Sequence, residues 1–570
     1  MAFFDLPSSR STSKRDKDLL KRAATKKKST TAVTLKGNGN LLDRIQAIIS
    51  VVKQKFEGKE DELLLITEEK PLIEYIDKCI ENGVISIDTE TTGLDPILDR
   101  LVGICIYTPD MKAAYIPVNH VSYVTRIKCE NQLPIDFLKE QFQRLIDNDI
   151  KTIWFNAPFD IRFLGNHLGV WFTAYFDTSV AARMLNTEET SKYELKPLHK
   201  KYCWGDRGEA LTFGKLFDNI PFDLIPITTA YLYAASDAIY TYELYEFQAQ
   251  FLEPDGKYYE KYKGVSYSFF NIEMKSMPTF ISMEQTGFEM DYEYAEKLSE
   301  KYHNLSDKMQ QNLEDICSEY QDQIDDYKRN HPECKLTDPI NYGSSIQLAI
   351  VLYDILKLKS PDPKNPRGTG VEILSEMDHP IAKAVLDSRA FDKALSTYID
   401  KMPDTAAQYP DKRIHYKLNQ SSTNTGRVAS NSPNIQNIPS RPFKLKDGTK
   451  IDAGHDIRQM FKATPGYILM SCDYSGQEVR VTAHFSNDKK MIQAYIDGKD
   501  VYSEIAAIAF NKTYEECCEK WPDGTDNPDG KARRGESKKI VLGRHIIAPA
   551  YSDICRKVSE RYYSAVCYKM

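Results

Sequence analysis

Two groups of acidic residues in this chain have the types and spacings of metal-dependent phosphodiester chemistry. Asp88 and Glu90 flank Thr89 directly after the apolar run Val84-Ile85-Ser86-Ile87. On an extended strand residues i and i+2 share a face, so both carboxylates can point at one metal cluster. Asp160 follows a second apolar run, 152–155, across the short turn Asn156-Ala157-Pro158-Phe159. Tyr233 and Asp237 are four residues apart and share one face of a helix. Two Mg²⁺ ions ~3.5–4 Å apart need several hard oxygen ligands, and four acids plus a tyrosine that orients water suffice. Far downstream, the apolar run 466–472 leads into Asp473-Tyr474-Ser475-Gly476-Gln477-Glu478. A carboxylate at that strand end can bind the metals that join a 3′-hydroxyl to a nucleotide α-phosphate. Arg534 and Lys538 put two cations on one helix face, a grip suited to a triphosphate. A lone acid at a strand end is by default a cap or a surface charge. Three motifs in order at domain-compatible spacing are not.

These residues need elements to hold them. Residues 62–255 read as one α/β domain, with strands over 84–87, 101–107, 114–118 and 152–155 and a clear helix over 230–247. Residues 256–410 are mostly helical, with a long charged helix over 302–327, an amphipathic one over 345–357 and a Pro-rich loop at 361–368. Residues 411–543 mix strand and helix. In them 466–472 is expected as a buried strand and 523–530 as a loop. Residues 1–61 form a lead-in whose first 40 residues are rich in Ser, Thr, Lys and Arg and expected to be a disordered basic tail. A basic arm on DNA or on a partner is the sharper alternative for that tail.

The bulk numbers bound the class without naming the chemistry. A chain of 570 residues exceeds a single core, so three or more domains are expected. Hydrophobic residues at 41% and charged ones at 28% are ordinary for a globular protein. No apolar run approaches the ~20 residues that span a bilayer, so no membrane role is expected and the reading is cytoplasmic. A net charge of −7 decides nothing about nucleic acid, because a basic cleft can sit in an acidic protein. Eleven cysteines without a C-x-x-C pair read as reduced thiols.

The motifs together resemble a known family. Asp88-x-Glu90-Thr91-x-Gly93-Leu94, Asn156-x-x-Phe159-Asp160 and Tyr233-x-x-x-Asp237-Ala238 are similar to the three motifs of the DEDD-type 3′–5′ exonucleases, tyrosine subgroup. The resemblance implies Asp88, Glu90, Asp160 and Asp237 as metal ligands and Tyr233 as positioner of the attacking water. It implies Leu94 as a wedge at the 3′-terminal base, with Asn156 among the substrate-binding residues. The strings Thr425-Gly426-Arg427 and Pro433-Asn434-Ile435-Gln436-Asn437, followed by the Asp473 motif, resemble the DNA polymerase I family, family A. It implies Arg427 at the primer terminus, Gln436 and Asn437 on template and primer, and Asp473 with the Tyr474 carbonyl at metal. Glu478 would exclude a ribose 2′-hydroxyl, and Arg534 and Lys538 would hold phosphates. The implied fold is multidomain α/β and α+β: a ribonuclease-H-like exonuclease domain, a polymerase thumb over 256–410, and partial palm and fingers over 411–543.

After Gly543 the family expects an apolar stretch and Tyr-Gly, but the chain reads Arg544-His545-Ile546-Ile547-Ala548-Pro549. The tail 544–570 holds no His-Asp-Glu turn, the usual source of the second polymerase aspartate. The expectation is a family A DNA polymerase, with a lean towards bacteriophage, truncated within its fingers, whose own activity is the exonuclease. Its implied cofactors are two divalent ions per site, Mg²⁺ with Mn²⁺ as the alternative. Its implied partners are primer-template DNA, dNTPs and a complementary C-terminal polymerase fragment or a replisome factor. A stand-alone exonuclease on DNA or RNA, half of a split polymerase and a silent DNA-binding protein are the rivals.

Overall fold

A computed structural model describes residues 41–546, apart from 57, 59, 187–192, 205–216, 218–219, 424, 440–441 and 446–447. Residues 1–40, expected as a basic tail, and residues 547–570, most of the expected tail 544–570, lie outside the described residues. The chain divides into two compact units between Tyr467 and Ile468.

The first unit is built on a six-stranded sheet of β1 (Leu63–Leu65), β2 (Val84–Thr91), β3 (Leu101–Tyr107), β4 (Ala113–Pro117), β5 (Lys151–Trp154) and β6 (Phe176–Asp177). Its order is β1-β4-β3-β2-β5-β6. β3 is antiparallel to β2 and β4, while β5 runs parallel to β2 and β6. Alternation splits the strands between two cores. Ile85 and Ile87 of β2 join Leu101, Ile104 and Ile106 of β3 on one face, with helices α1 (Glu69–Asn82), α2 (Ile135–Asp147) and α3 (Ala157–Leu168). Val102, Cys105 and Tyr115 face a second core with α4 (Ile227–Leu252). Asp88 and Glu90 alternate with Ile87 and so belong to the α4 side. The four strands expected in this domain all form, three of them within a residue at their ends, while β2 runs four residues further than expected, to Thr91.

Residues 41–56, read with the lead-in, are instead the helix Leu41–Phe56. Its buried Ile45, Ile48, Val52 and Phe56 make an apolar stripe at helical spacing that packs in the α4-side core. The single helix expected over 302–327 is broken into Tyr292–Ser318 and Gln321–Asn330. Leu313, Cys317 and Ile324 still share one core across the break.

In the second unit the expected strand 466–472 does not form. Ile468, Leu469 and Met470 are exposed and carry no regular structure. An apolar run buries itself only against partner strands, and none among the described residues pairs with it. The helix expected after residue 530 starts earlier, at Pro528, and runs to Ile546. Proline at the first helical position has its ring and its missing N–H in the one place a helix accepts them.

Candidate active site

Each acidic motif arrives by a different element. β2 delivers Asp88 and Glu90. The 26-residue helix α4 crosses the same end of the sheet, pinned where the Ser86 hydroxyl donates to the Ala238 carbonyl at 2.8 Å. That contact sets the helix register, and the spacing of four puts Tyr233 and Asp237 over β2. Carboxylate oxygens of Asp88, Glu90 and Asp237 lie within 4.8 Å of one another.

Asp160 comes from the turn after β5. Asn156 adopts a left-handed conformation (φ 67°) that asparagine tolerates better than most residues. The Asp177 carboxylate receives the Ala157 N–H at 2.7 Å and the Asn156 N–H at 3.3 Å, which closes the turn. The Asn156 side chain is left exposed. Asp160 is buried and held on the strand itself: its Oδ1 accepts the Thr89 N–H at 2.9 Å and the Thr89 hydroxyl at 2.6 Å. It stands beside the three-acid group rather than within it, close enough to repel the Asp88 charge.

The electrostatics are those of crowded carboxylates out of water. Burial, then repulsion from Asp160, Asp237 and Glu90, pushes the Asp88 carboxyl well above the usual range. Burial and the neighbouring Asp237 charge push Glu90 up to about 8. Burial pushes Asp160 up to about 7 against the hydrogen bonds from Thr89. Burial raises Asp237 as well, with Lys196 opposing. Asp237 Oδ1 is buried and has no hydrogen-bond partner. An acceptor-only donor set of hard oxygens, one of them orphaned, fits divalent cations of the Mg²⁺ or Mn²⁺ kind.

Lys196 is the functional candidate that the sequence motifs missed. It sits on the short helix Leu195–His199. Its ammonium lies 2.9 Å from Asp237 Oδ2 and donates to the Tyr233 hydroxyl at 2.9 Å. Nothing in its spacing marks it. The α4 register alone brings it to the acids.

Leu94 follows β2 on a loop and is 72% exposed, an apolar side chain open to solvent near the acids. The polymerase-type residues of the first unit lie around the antiparallel pair Lys417–Asn419 and Ala429–Asn431. Arg427, Gln436 and Asn437 are exposed there, and the Gln436 amide donates to the Val428 carbonyl at 3.0 Å.

In the second unit Asp473 and Tyr474 are exposed, ahead of the helix Gln477–Ser486 whose first turn carries Glu478. Arg534 and Lys538 do share a helix face, both against the Tyr502 ring at 5.3 and 5.7 Å. The Arg534 guanidinium is engaged: it donates to both Asp500 oxygens at 2.8 and 3.0 Å and to Glu519 at 3.0 Å. The acidic group at Asp88 is the only cluster of potential metal ligands among the described residues, and Asp473 is not part of one.

Comparison with known proteins matches each half. Residues 64–252 match the family model described as 3′-5′ exonuclease, and residues 304–521 match that described as DNA polymerase family A. The chain is 29% identical over 499 residues to DNA polymerase I of Chloroflexus aurantiacus, covering 84% of this chain and 46% of that protein. It is 31% identical over 460 residues to DNA polymerase I of Synechocystis sp., covering 78% and 42%. The chain thus spans less than half the length of these relatives. Its fold is similar to the POL domain of Pol1 from M. smegmatis, solved in complex with DNA primer-template and dNTP. That likeness has a TM-score of 0.63 at 20% identity and covers 88% of this chain and 76% of that one.

Proposed function

From the premise that this chain carries a 3′–5′ exonuclease domain and a domain of DNA polymerase family A, we propose that its working centre is the carboxylate cluster at Asp88, Glu90 and Asp237, with Asp160 beside it. The centre removes nucleotides from DNA 3′ ends as nucleoside monophosphates. The single observation that carries this is three carboxylates within 4.8 Å in the matched exonuclease segment, one of them with an unpartnered buried oxygen.

Asp88, Glu90, Asp237 and Asp160 would hold two divalent cations, Mg²⁺ by preference, with Thr89 fixing one oxygen of Asp160. The chemistry such ions supply is activation of water at neutral pH and stabilisation of the departing 3′-oxygen. Tyr233 orients the attacking water through its hydroxyl, and Lys196 holds that hydroxyl from the other side. Leu94 and Asn156, both exposed, receive the terminal nucleotides.

The segment 256–410 acts as the thumb and 411–543 as part of the palm and fingers, which bring primer-template DNA and dNTP to the chain. Arg427, Gln436 and Asn437 contact primer and template. Asp473 and the Tyr474 carbonyl serve a metal of the polymerase site, Glu478 selects the sugar, and Arg534 and Lys538 hold phosphates. Arg534 must first exchange Asp500 and Glu519 for phosphate. Nucleotidyl transfer by two metals needs more than one carboxylate, and Asp473 belongs to no group of three potential metal ligands among the described residues, so hydrolysis is the activity proposed for this chain by itself. The test is product identity. A 3′-labelled single strand incubated with the chain and Mg²⁺ should release labelled mononucleotide. Release of internal fragments, or none, would contradict the reading.

A further inference from the structure

The loop that carries Leu94 is tied together by its own hydrogen bonds. The Thr92 N–H donates to the Arg100 carbonyl at 3.0 Å, and the Asp99 N–H to the Asp95 carbonyl at 2.8 Å. Asp95 Oδ1 receives the N–H groups of Ile97 and Leu98 at 2.9 and 3.2 Å. A side chain at Gly93 would meet the Asp99 carboxylate at 2.3 Å. Two residues from beyond position 400 grip this loop from outside. The Lys417 ammonium donates to the Leu94 carbonyl at 2.6 Å, and the Tyr409 hydroxyl donates to Asp95 Oδ2 at 2.5 Å. The same segment is tied to the helix that carries Asp160. The Leu418 N–H donates to Glu284 Oε1, and Glu284 Oε2 accepts from Arg162 at 2.7 Å, two residues past Asp160.

We propose that Lys417 and Tyr409 are positioning residues for the exonuclease. They fix the backbone of loop 92–99, and with it the apolar surface of Leu94 on which a DNA 3′ end is seated, while taking no part in hydrolysis. The proposal rests on reading the acidic centre as a 3′–5′ exonuclease. A leucine wedge works only if its backbone is held, because inserting it against stacked bases costs energy that a yielding loop would not supply. Both hydrogen bonds end on this loop, and neither reaches Asp88, Glu90 or Asp237, so their loss weakens the hold on the strand and not the chemical step. The polymerase-side segment thereby sets how firmly the exonuclease holds its substrate.

The test measures 3′ shortening of a single-stranded oligonucleotide by the full chain with Mg²⁺. Lys417→Met is expected to raise KM about tenfold, the factor for losing one charge-assisted hydrogen bond, with kcat nearly unchanged. Lys417→Arg should restore KM. In a Leu94→Ala background the Lys417→Met effect should largely vanish, because both changes remove one function. Full multiplication of the two effects, or a fall in kcat at constant KM, overturns the proposal. Should Lys417→Met fold poorly, Tyr409→Phe removes only a hydroxyl and must also raise KM. An unchanged KM there is equally fatal. Binding of the same oligonucleotide without metal, read by fluorescence anisotropy, separates the two ideas. A wild-type chain that binds but never shortens DNA sinks the exonuclease reading. Equal binding by wild type and Lys417→Met sinks the latch.

Discussion

Lys196 holds two functional groups of α4 at once, since one ammonium meets both the Tyr233 hydroxyl and an Asp237 oxygen. Lys196→Met should lower kcat for 3′ shortening by roughly a hundredfold to a thousandfold, the range for removing one preorganised donor, with KM little changed. Lys196→Arg should recover part of it. An unaltered kcat would mean that the lysine only neutralises crowded acids. The crowding itself makes a second prediction. Burial pushes Glu90 up to about 8 and Asp160 up to about 7, well above free carboxylates. Between about pH 4 and 8 the folded chain therefore binds more protons than the unfolded one, and its stability falls as pH rises through that window. Without divalent ions the Tm should drop by on the order of 5 °C across it. Mg²⁺ should remove most of the drop, and Glu90→Gln should shrink it. A metal-free Tm that rises over this range would contradict the burial of these acids. At this scale the sequence was informative where spacing carries direction. Asp88 and Glu90 were legible from the strand period, and Tyr233 and Asp237 from the helix period. Lys196 obeys no period with its partners and was not.

Elements succeed or fail as signals according to whether their partners are near in sequence. The exonuclease strands were legible because β2 to β5 pair within a stretch of 71 residues, from Val84 to Trp154. The apolar run 466–472 carries as strong a strand pattern, yet it stays exposed because no described strand lies beside it. The stripe Ile45, Ile48, Val52 and Phe56 was present but was overshadowed by the basic tail before it. Between elements, the Arg162–Glu284 pair joins α3 to the helix Met274–Thr286 with both side chains almost fully buried. Glu284→Ala strands a buried guanidinium and should cost about 3–5 kcal/mol, read as a fall in the denaturant midpoint. Replacing both partners with Arg162→Met and Glu284→Leu should cost much less. Equal losses in the single and double variants would show that the pair's shape, not its charge, matters.

Across the whole molecule, each motif was readable because its residues are close in sequence, and the order of motifs matches the order of the two family segments, 64–252 and 304–521. What remained hidden joins residues far apart. The Lys417 contact with Leu94 spans 323 positions and follows no local rule. The division at Tyr467 is a property of packing and leaves no mark in composition. The central claim concerns the Asp88 centre, and one assay addresses it most directly. A 5′-labelled primer with a mismatched 3′ end, annealed to template, is incubated with the chain and Mg²⁺, with and without dNTPs, beside an Asp88→Ala, Glu90→Ala double variant. The account predicts stepwise shortening from the 3′ end that requires the divalent ion and is lost in the double variant, with no extension by this chain alone. Shortening that survives loss of both carboxylates, or an intact primer in every lane, would contradict it.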